Sequence, residues 1–254
     1  MKFQLKGVLS DYIGGGDDTT SRILEENHPL YQAIVVYHDF FAKELWSGEI
    51  DMSPGQAFLS MNAFMLFLSG VRMTMTGHVA ATFPLFRTAM ESACYAYLMK
   101  IDPTAEPVWS DRHKSEETLR SARRRFTSAV KDAARAIEST QEVRGHAAWI
   151  EEAYQSAIDN GAHPNPKSIY GHVQPPRDIG DHYLVTLAGL YDSTHSKIYQ
   201  GLMACLDYGL ILAVILAHGL QHPPDGLSEK LDALNQLKEN LTTEHFDTRK
   251  MGDK

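Results

Sequence analysis

Residues 202–220, LMACLDYGLILAVILAHGL, constrain the fold more than any other part of this chain. A run this long and apolar either crosses a bilayer or forms a helix wrapped by protein on all sides. Asp207 lies inside the run, no Lys/Arg cluster flanks it, and QHPPDG follows. An ionised side chain in a bilayer is costly, so a buried central helix is expected and no membrane partner. Such a helix needs a domain around it. A chain of 254 residues that is 43% hydrophobic can supply one.

The remaining apolar residues recur at helical spacing, and no convincing alternating strand appears. The expected class is all-α, a multi-helix bundle of about seven or eight helices. Residues 1–28 are expected to be a flexible N-terminal segment, 29–242 a single helical domain and 243–254 a frayed tail. GGGDDTTS reads as a flexible leading loop, because its glycines lack the spacing and the Lys of a phosphate cradle. Helices are expected over 29–46, from Pro54 to Met75 behind a Ser53 N-cap, and from beyond the Gly77 junction to the residues before IDPTAEP. A long charged helix is expected over 111–139, with Leu119, Ala122, Phe126, Val130, Ala133 and Ile137 on one face. Further helices are expected over 141–160, 181–196, 198–220 and 227–241. The longest irregular segment, NGAHPNPKSIYGHVQPPRDIGD, has a length often associated with function.

Cys94 and Cys205 sit in apolar runs, and no cysteine spacing pattern exists. That points to a reducing, cytoplasmic setting. The N-terminus shows no apolar leader or small-residue cleavage site. A net charge of −8 argues against bulk adsorption to nucleic acid or anionic lipid, though not against a local basic patch.

Within FPLFRTAMESACYAYLM, residues 83–99, Arg87 and Glu91 are four apart in a segment otherwise suited to a core. Phe86, Met90, Ala93 and Tyr97 define the core stripe, and Arg87 projects near its edge. A partly buried Arg needs several hydrogen-bond partners or an anionic ligand. Candidates are Tyr191 and His195, which share a face if their segment is helical, and Asp207. Five residues, Arg87, Glu91, Tyr191, His195 and Asp207, are expected to meet in one inter-helix pocket. The plain alternative is a structural polar network tying three helices together.

RTAMESACYAYL, the long charged helix, LYDSTHSKI and the apolar helix resemble an uncharacterised bacterial family of all-helical proteins with an Arg-x3-Glu helix and a Tyr-x3-His helix. The resemblance spans roughly residues 60–220. That family is compared with the HEPN group, helical domains that include metal-independent ribonucleases of toxin–antitoxin and phage-defence systems. Those carry an Arg-x4-6-His motif and usually act as dimers. RDIGDH (Arg177 to His182) and RMTMTGH (Arg72 to His78) have that spacing here. The resemblance therefore implies RNA as a partner and a homodimer. His182 or His195 would be the base that takes the ribose 2′-OH proton, and Arg87 or Arg177 the phosphate clamp. Arg177 follows Pro175-Pro176 and precedes Gly180, so loop anchoring is its plain alternative. A non-enzymatic regulatory module with an Arg87 anion pocket is the other functional reading.

Residues 112–135 hold eight Lys/Arg (112, 114, 120, 123, 124, 125, 131, 135) against three acids (116, 117, 132), a local charge of +5. Arg120, Arg124, Lys131 and Arg135 share a helical stripe that could follow a phosphate backbone, or could simply be a solvated face. His218 and His222 have an i,i+4 spacing, but neither the HExxH nor the paired Glu-x-x-His pattern is present. No metal and no cofactor is expected. The Met-rich MNAFMLFLSGVRM reads as core or dimer seam.

Overall fold

The computed structural model describes residues 8–47, 51–140 and 145–252, with side chains up to residue 244. The protein is all-α, with eleven helices and one short strand pair among the described residues. Helix α10 (Ser196–Gly219) is the centre. It packs on α2 (Pro29–Asp39), α3 (Pro54–Met75), α4 (Val79–Ile101) and α11 (Leu227–Gly252). Among the described residues two helices, α3 and α10, are long and apolar enough to cross a membrane, and the apolar window of α10 is 78% buried within the protein. Residues 202–220 thus form the expected wrapped core helix.

Local chemistry fixes the ends. Ser53 Oγ accepts from the Gln56 amide at 3.4 Å, and Pro54 takes the first helical position of α3. Helices α2 and α8 (His146–Ala157) each continue into a widened π-type turn, at Phe40–Leu45 and Ile158–Ala162. Short helices α5 (Ala105–Ser110) and α9 (Pro166–Tyr170) complete the chain with α6 and α7 below.

Four expectations are corrected. GGGDDTTS is not a loop but the middle of α1 (Leu9–Glu25). Tertiary packing overrides the low helix propensity of glycine: Gly16 lies against the Thr76–His78 turn, and the Thr20 hydroxyl donates to the Met75 carbonyl. The long charged helix is two helices, α6 (Glu116–Phe126) and α7 (Ala129–Ser139). Hydroxyls at the junction compete with the backbone, Thr127 bonding to the Arg123 carbonyl and Ser128 to the Asp132 carboxylate. The apolar face was nonetheless placed correctly, since Ala122, Phe126, Val130, Ala133 and Ile137 are all buried.

Residues 181–196 form no helix. The chain from Val173 to Leu187 is a hairpin arm, with β1 (Arg177–Asp178) paired to β2 (Tyr183–Leu184). Pro175-Pro176 deny helical hydrogen bonds, and Gly180 turns at φ +94°. Finally, α11 runs on to Gly252, past the expected end at Leu241. Residues 141–144, expected to open a helix, lie outside the described residues, as do the side chains of most of the expected tail.

Candidate functional site

Arg87 sits where three elements meet, and Pro84 helps to bring them together. Proline within α4 has no N–H to donate to the carbonyl four residues back, Ala80. Gly161 approaches that carbonyl so closely that an added Cβ would lie 2.5 Å from it. The end of α8 is thereby seated against α4, and His163 follows two residues later.

The result is a cluster of four polar side chains. Arg87 Nε donates to Glu91 Oε1 and to Tyr154 Oη, both at 3.2 Å. Tyr154 in turn donates to Glu91 at 2.5 Å. Arg87 Nη1 meets His163 Nε2 at 2.9 Å. A guanidinium only donates, so this nitrogen of His163 is the acceptor in that contact. The Arg87 guanidinium also lies over the Tyr154 ring, 5.5 Å from its centroid. Burial works to lower the Arg87 pKa, but Tyr154 and Glu91 outweigh it and the net direction is upward. The Tyr154 phenol is pushed up to about 12, by burial first and by its bond to Glu91.

This cluster opens onto a cleft of about 520 Å³ between α4, the α6–α7 junction and α8. Tyr95 and Phe126, stacked at 4.4 Å, line it. So do the first turn of α7 (Ala129, Val130, Lys131) and Glu151. A cleft of this size with aromatic walls and a fixed cation can hold a small anionic, planar ligand.

The other expected members lie elsewhere. Asp207 pairs with Lys238 at 3.3 Å, beside a separate cleft of about 470 Å³ lined also by Phe83 and Tyr208. Tyr191 is buried in the loop before α10, where its hydroxyl meets His172 Nδ1 at 2.6 Å. His195 stacks near Tyr191 (centroids 4.5 Å apart) and caps α10 by accepting from the Lys197 amide at 3.1 Å. The expected five-residue pocket is therefore three separate arrangements, because 181–195 is an arm and not a helix facing α4.

Arg177 and His182 are exposed at the end of that arm, one at β1 and one in the turn whose carbonyl accepts from Ile179. Among the described residues Arg87 bonds to Glu91, Tyr154 and His163, not to either of these. The four cations of the expected stripe are divided by the break at residues 127–128, with Arg120 and Arg124 on α6 and Lys131 and Arg135 on α7. All four are exposed, Arg120 pairs loosely with Glu116 at 3.9 Å, and Lys131 borders the cleft. His218 Nδ1 donates to the Val214 carbonyl, and among the described residues no three His, Cys, Asp or Glu gather as a metal site.

Comparison with protein-family models, curated proteins and solved structures returned no match to this chain.

Sequence reading missed Tyr154, His163 and the Tyr95–Phe126 pair. His163 lay in the irregular segment singled out for its length. The others sit on helices, where nothing local marks a residue that faces a cleft.

His172 gives the arm a pH dependence. Burial, helped by Lys197, lowers its pKa. A depressed histidine contributes stability in full above its ordinary value of about 6.5, and loses it as pH falls through the lowered value. Protonation also removes the acceptor for the Tyr191 hydroxyl. Wild type is expected to lose melting temperature below about pH 6.5 more steeply than His172→Gln. Parallel curves for the two proteins would show that His172 does not carry the effect.

Proposed function

We infer that this protein is an RNA-binding helical domain that seats one nucleotide in the Arg87 cleft. The observation that carries this reading is the hydrogen-bonded Arg87 in the wall of a cleft lined also by Tyr95 and Tyr154, beside exposed cations. Tyr95, half-buried and stacked on the buried Phe126, offers a π-surface for an unstacked base, which is how single-stranded RNA is commonly held. Arg87 takes the phosphate, and Lys131, Arg124 and Arg135 follow the neighbouring phosphates. The resemblance to HEPN-like proteins agrees with such a partner.

The test is fluorescence anisotropy with a labelled single-stranded RNA across a salt series. The triple variant Arg124→Glu/Lys131→Glu/Arg135→Glu changes only exposed side chains. Losing three phosphate contacts should flatten the log–log salt dependence by about 2. Unchanged affinity and slope, or no wild-type binding at low salt, would sink the reading. The regulatory alternative, a small anion held at Arg87, would then be examined with free nucleotides.

A second reading is metal-independent cleavage of that RNA, favoured by the 2.9 Å contact between Arg87 Nη1 and His163 Nε2. When Arg87 turns to the phosphate, His163 Nε2 is released to take the 2′-OH proton, while Arg87 stabilises the phosphorane charge. In EDTA, His163→Ala is expected to reduce cleavage by about 10²–10⁴-fold with little loss of binding. His182→Ala and His195→Ala, on the arm and the α10 cap, serve as comparisons. Loss of cleavage confined to one of them would move the base there.

A further inference from the structure

Helix α3 has an inner and an outer face of similar apolarity. Leu59, Ala63, Phe64, Phe67 and Gly70 point into the core. Pro54, Phe58, Met61, Met65 and Arg72 are exposed, with Leu68 half-buried against the core, and the six recur in alternating steps of four and three residues. That average of 3.5 is the spacing of a helix-pairing seam, not of a core face alone. Phe58, Met61 and Met65 are 68%, 49% and 55% exposed. No Asp, Glu, Lys or Arg occurs from Pro54 to Val71. A continuous uncharged strip of this kind marks an interaction surface.

We propose that this strip pairs with α3 of a second copy of the chain, antiparallel, about a two-fold axis beside Met61 and Asn62. Charge placement decides the direction. Exposed Asp51 stands just before the helix, and Arg72, with its side chain 55% exposed, stands in the last turn. Antiparallel pairing lays Arg72 of each copy on Asp51 of the other. Parallel pairing would set like charges side by side. The same register puts Phe58 of each copy opposite Met65 of the other, a favourable sulfur–aromatic contact, and brings the two Met61 side chains together at the axis. Arg72 also touches Asp17 of its own chain at 3.4 Å, through one of its five N–H donors.

The 22 residues of α3 make a strip about 33 Å long. A contact that uses one patch on both partners closes as a dimer and does not propagate. An anionic bilayer is the poorer cover, since Arg72 is the one cation within α3, Asp51 stands at the strip's other end, and the chain carries −8.

The test is sedimentation equilibrium of the full chain across the micromolar range. Wild type should be a dimer, and Phe58→Glu and Met65→Glu should be monomers with unchanged circular dichroism. Asp51→Arg and Arg72→Asp should each weaken the dimer, and the two together should restore it. Met61→Cys should form a disulfide-linked dimer on mild oxidation, whereas Cys94 and Cys205 are buried and do not compete. A monomeric wild type would overturn the proposal, as would a dimer indifferent to both glutamate variants. Failure of Met61→Cys to cross-link, or of the charge exchange to rescue, would overturn the antiparallel register. A monomer that floats with phosphatidylglycerol vesicles would assign the strip to a membrane surface instead.

Discussion

Gly77→Ala is expected to lower stability by about 3–5 kcal/mol, a large effect for one methyl group. Gly77 has φ +81°, in the left-handed region that disfavours a side chain. Its added Cβ would also lie 2.2 Å from the Tyr191 carbonyl oxygen and 3.0 Å from the Tyr191 nitrogen. Those atoms have nowhere to retreat. The Tyr191 N–H donates to the Gly77 carbonyl at 3.1 Å, its carbonyl accepts from the Thr19 hydroxyl at 3.1 Å, and its phenol is bound to His172. Relief would require the whole arm to lift from the α3–α4 turn. For a chain of this size the loss corresponds to a melting-temperature drop of about 6–15 °C. Hydrogen exchange should also show residues 172–191 losing protection before the core helices do. A variant that melts within a degree of wild type would mean the arm does not dock on Gly77 in solution.

Phe86→Ala is expected to cost a similar amount, about 3–5 kcal/mol, by a different mechanism. Its ring is fully buried between Tyr208 (4.7 Å) and Phe67 (6.1 Å). It fits only because residue 70 has no side chain, and a Cβ there would lie 2.4 Å from the ring. Truncation leaves a cavity at the crossing of α3, α4 and α10 that close packing cannot collapse. Arg87 is the next residue, so a repacked α4 also shifts the guanidinium away from Tyr154 and His163. Chemical denaturation of Gly70→Ala, Phe86→Ala and the double variant measures the coupling. The double variant should be less destabilised than the sum of the singles, because the new methyl occupies part of the space the ring leaves. Strict additivity would show that residues 70 and 86 do not share that space.

Periodicity and capping were legible without coordinates wherever the information is local. Residues 202–220 were legible as a wrapped helix from their length, their apolarity and one internal Asp, and the apolar window of α10 is 78% buried within the protein. Ser53-Pro54 set the start of α3, and the spacing from Ala122 to Ile137 marked the buried face of α6 and α7, with Leu119 only half-buried at its end. Arg87 stood out as a charge at the edge of a core stripe, and its first partner, Glu91, lies one turn away on the same helix.

What fills the rest of the Arg87 cluster comes from residues 67 and 76 positions further along, Tyr154 and His163. No spacing rule connects these to residue 87. They meet because Pro84 frees a carbonyl, Gly161 can approach it, and α8 is then fixed beside α4. Two expectations failed for the same reason in opposite directions. GGGDD became helix because α1 has a tertiary surface to lie on, and the expected helix over 181–196 gave way to a hairpin arm and a loop, the loop being held where Gly77 and His172 bind Tyr191. The chemistry of single residues and the period of each face are properties of the sequence alone. Which polar groups share a cleft, and which glycine must stay glycine, depends on contacts between distant segments, and only the tertiary structure decided them.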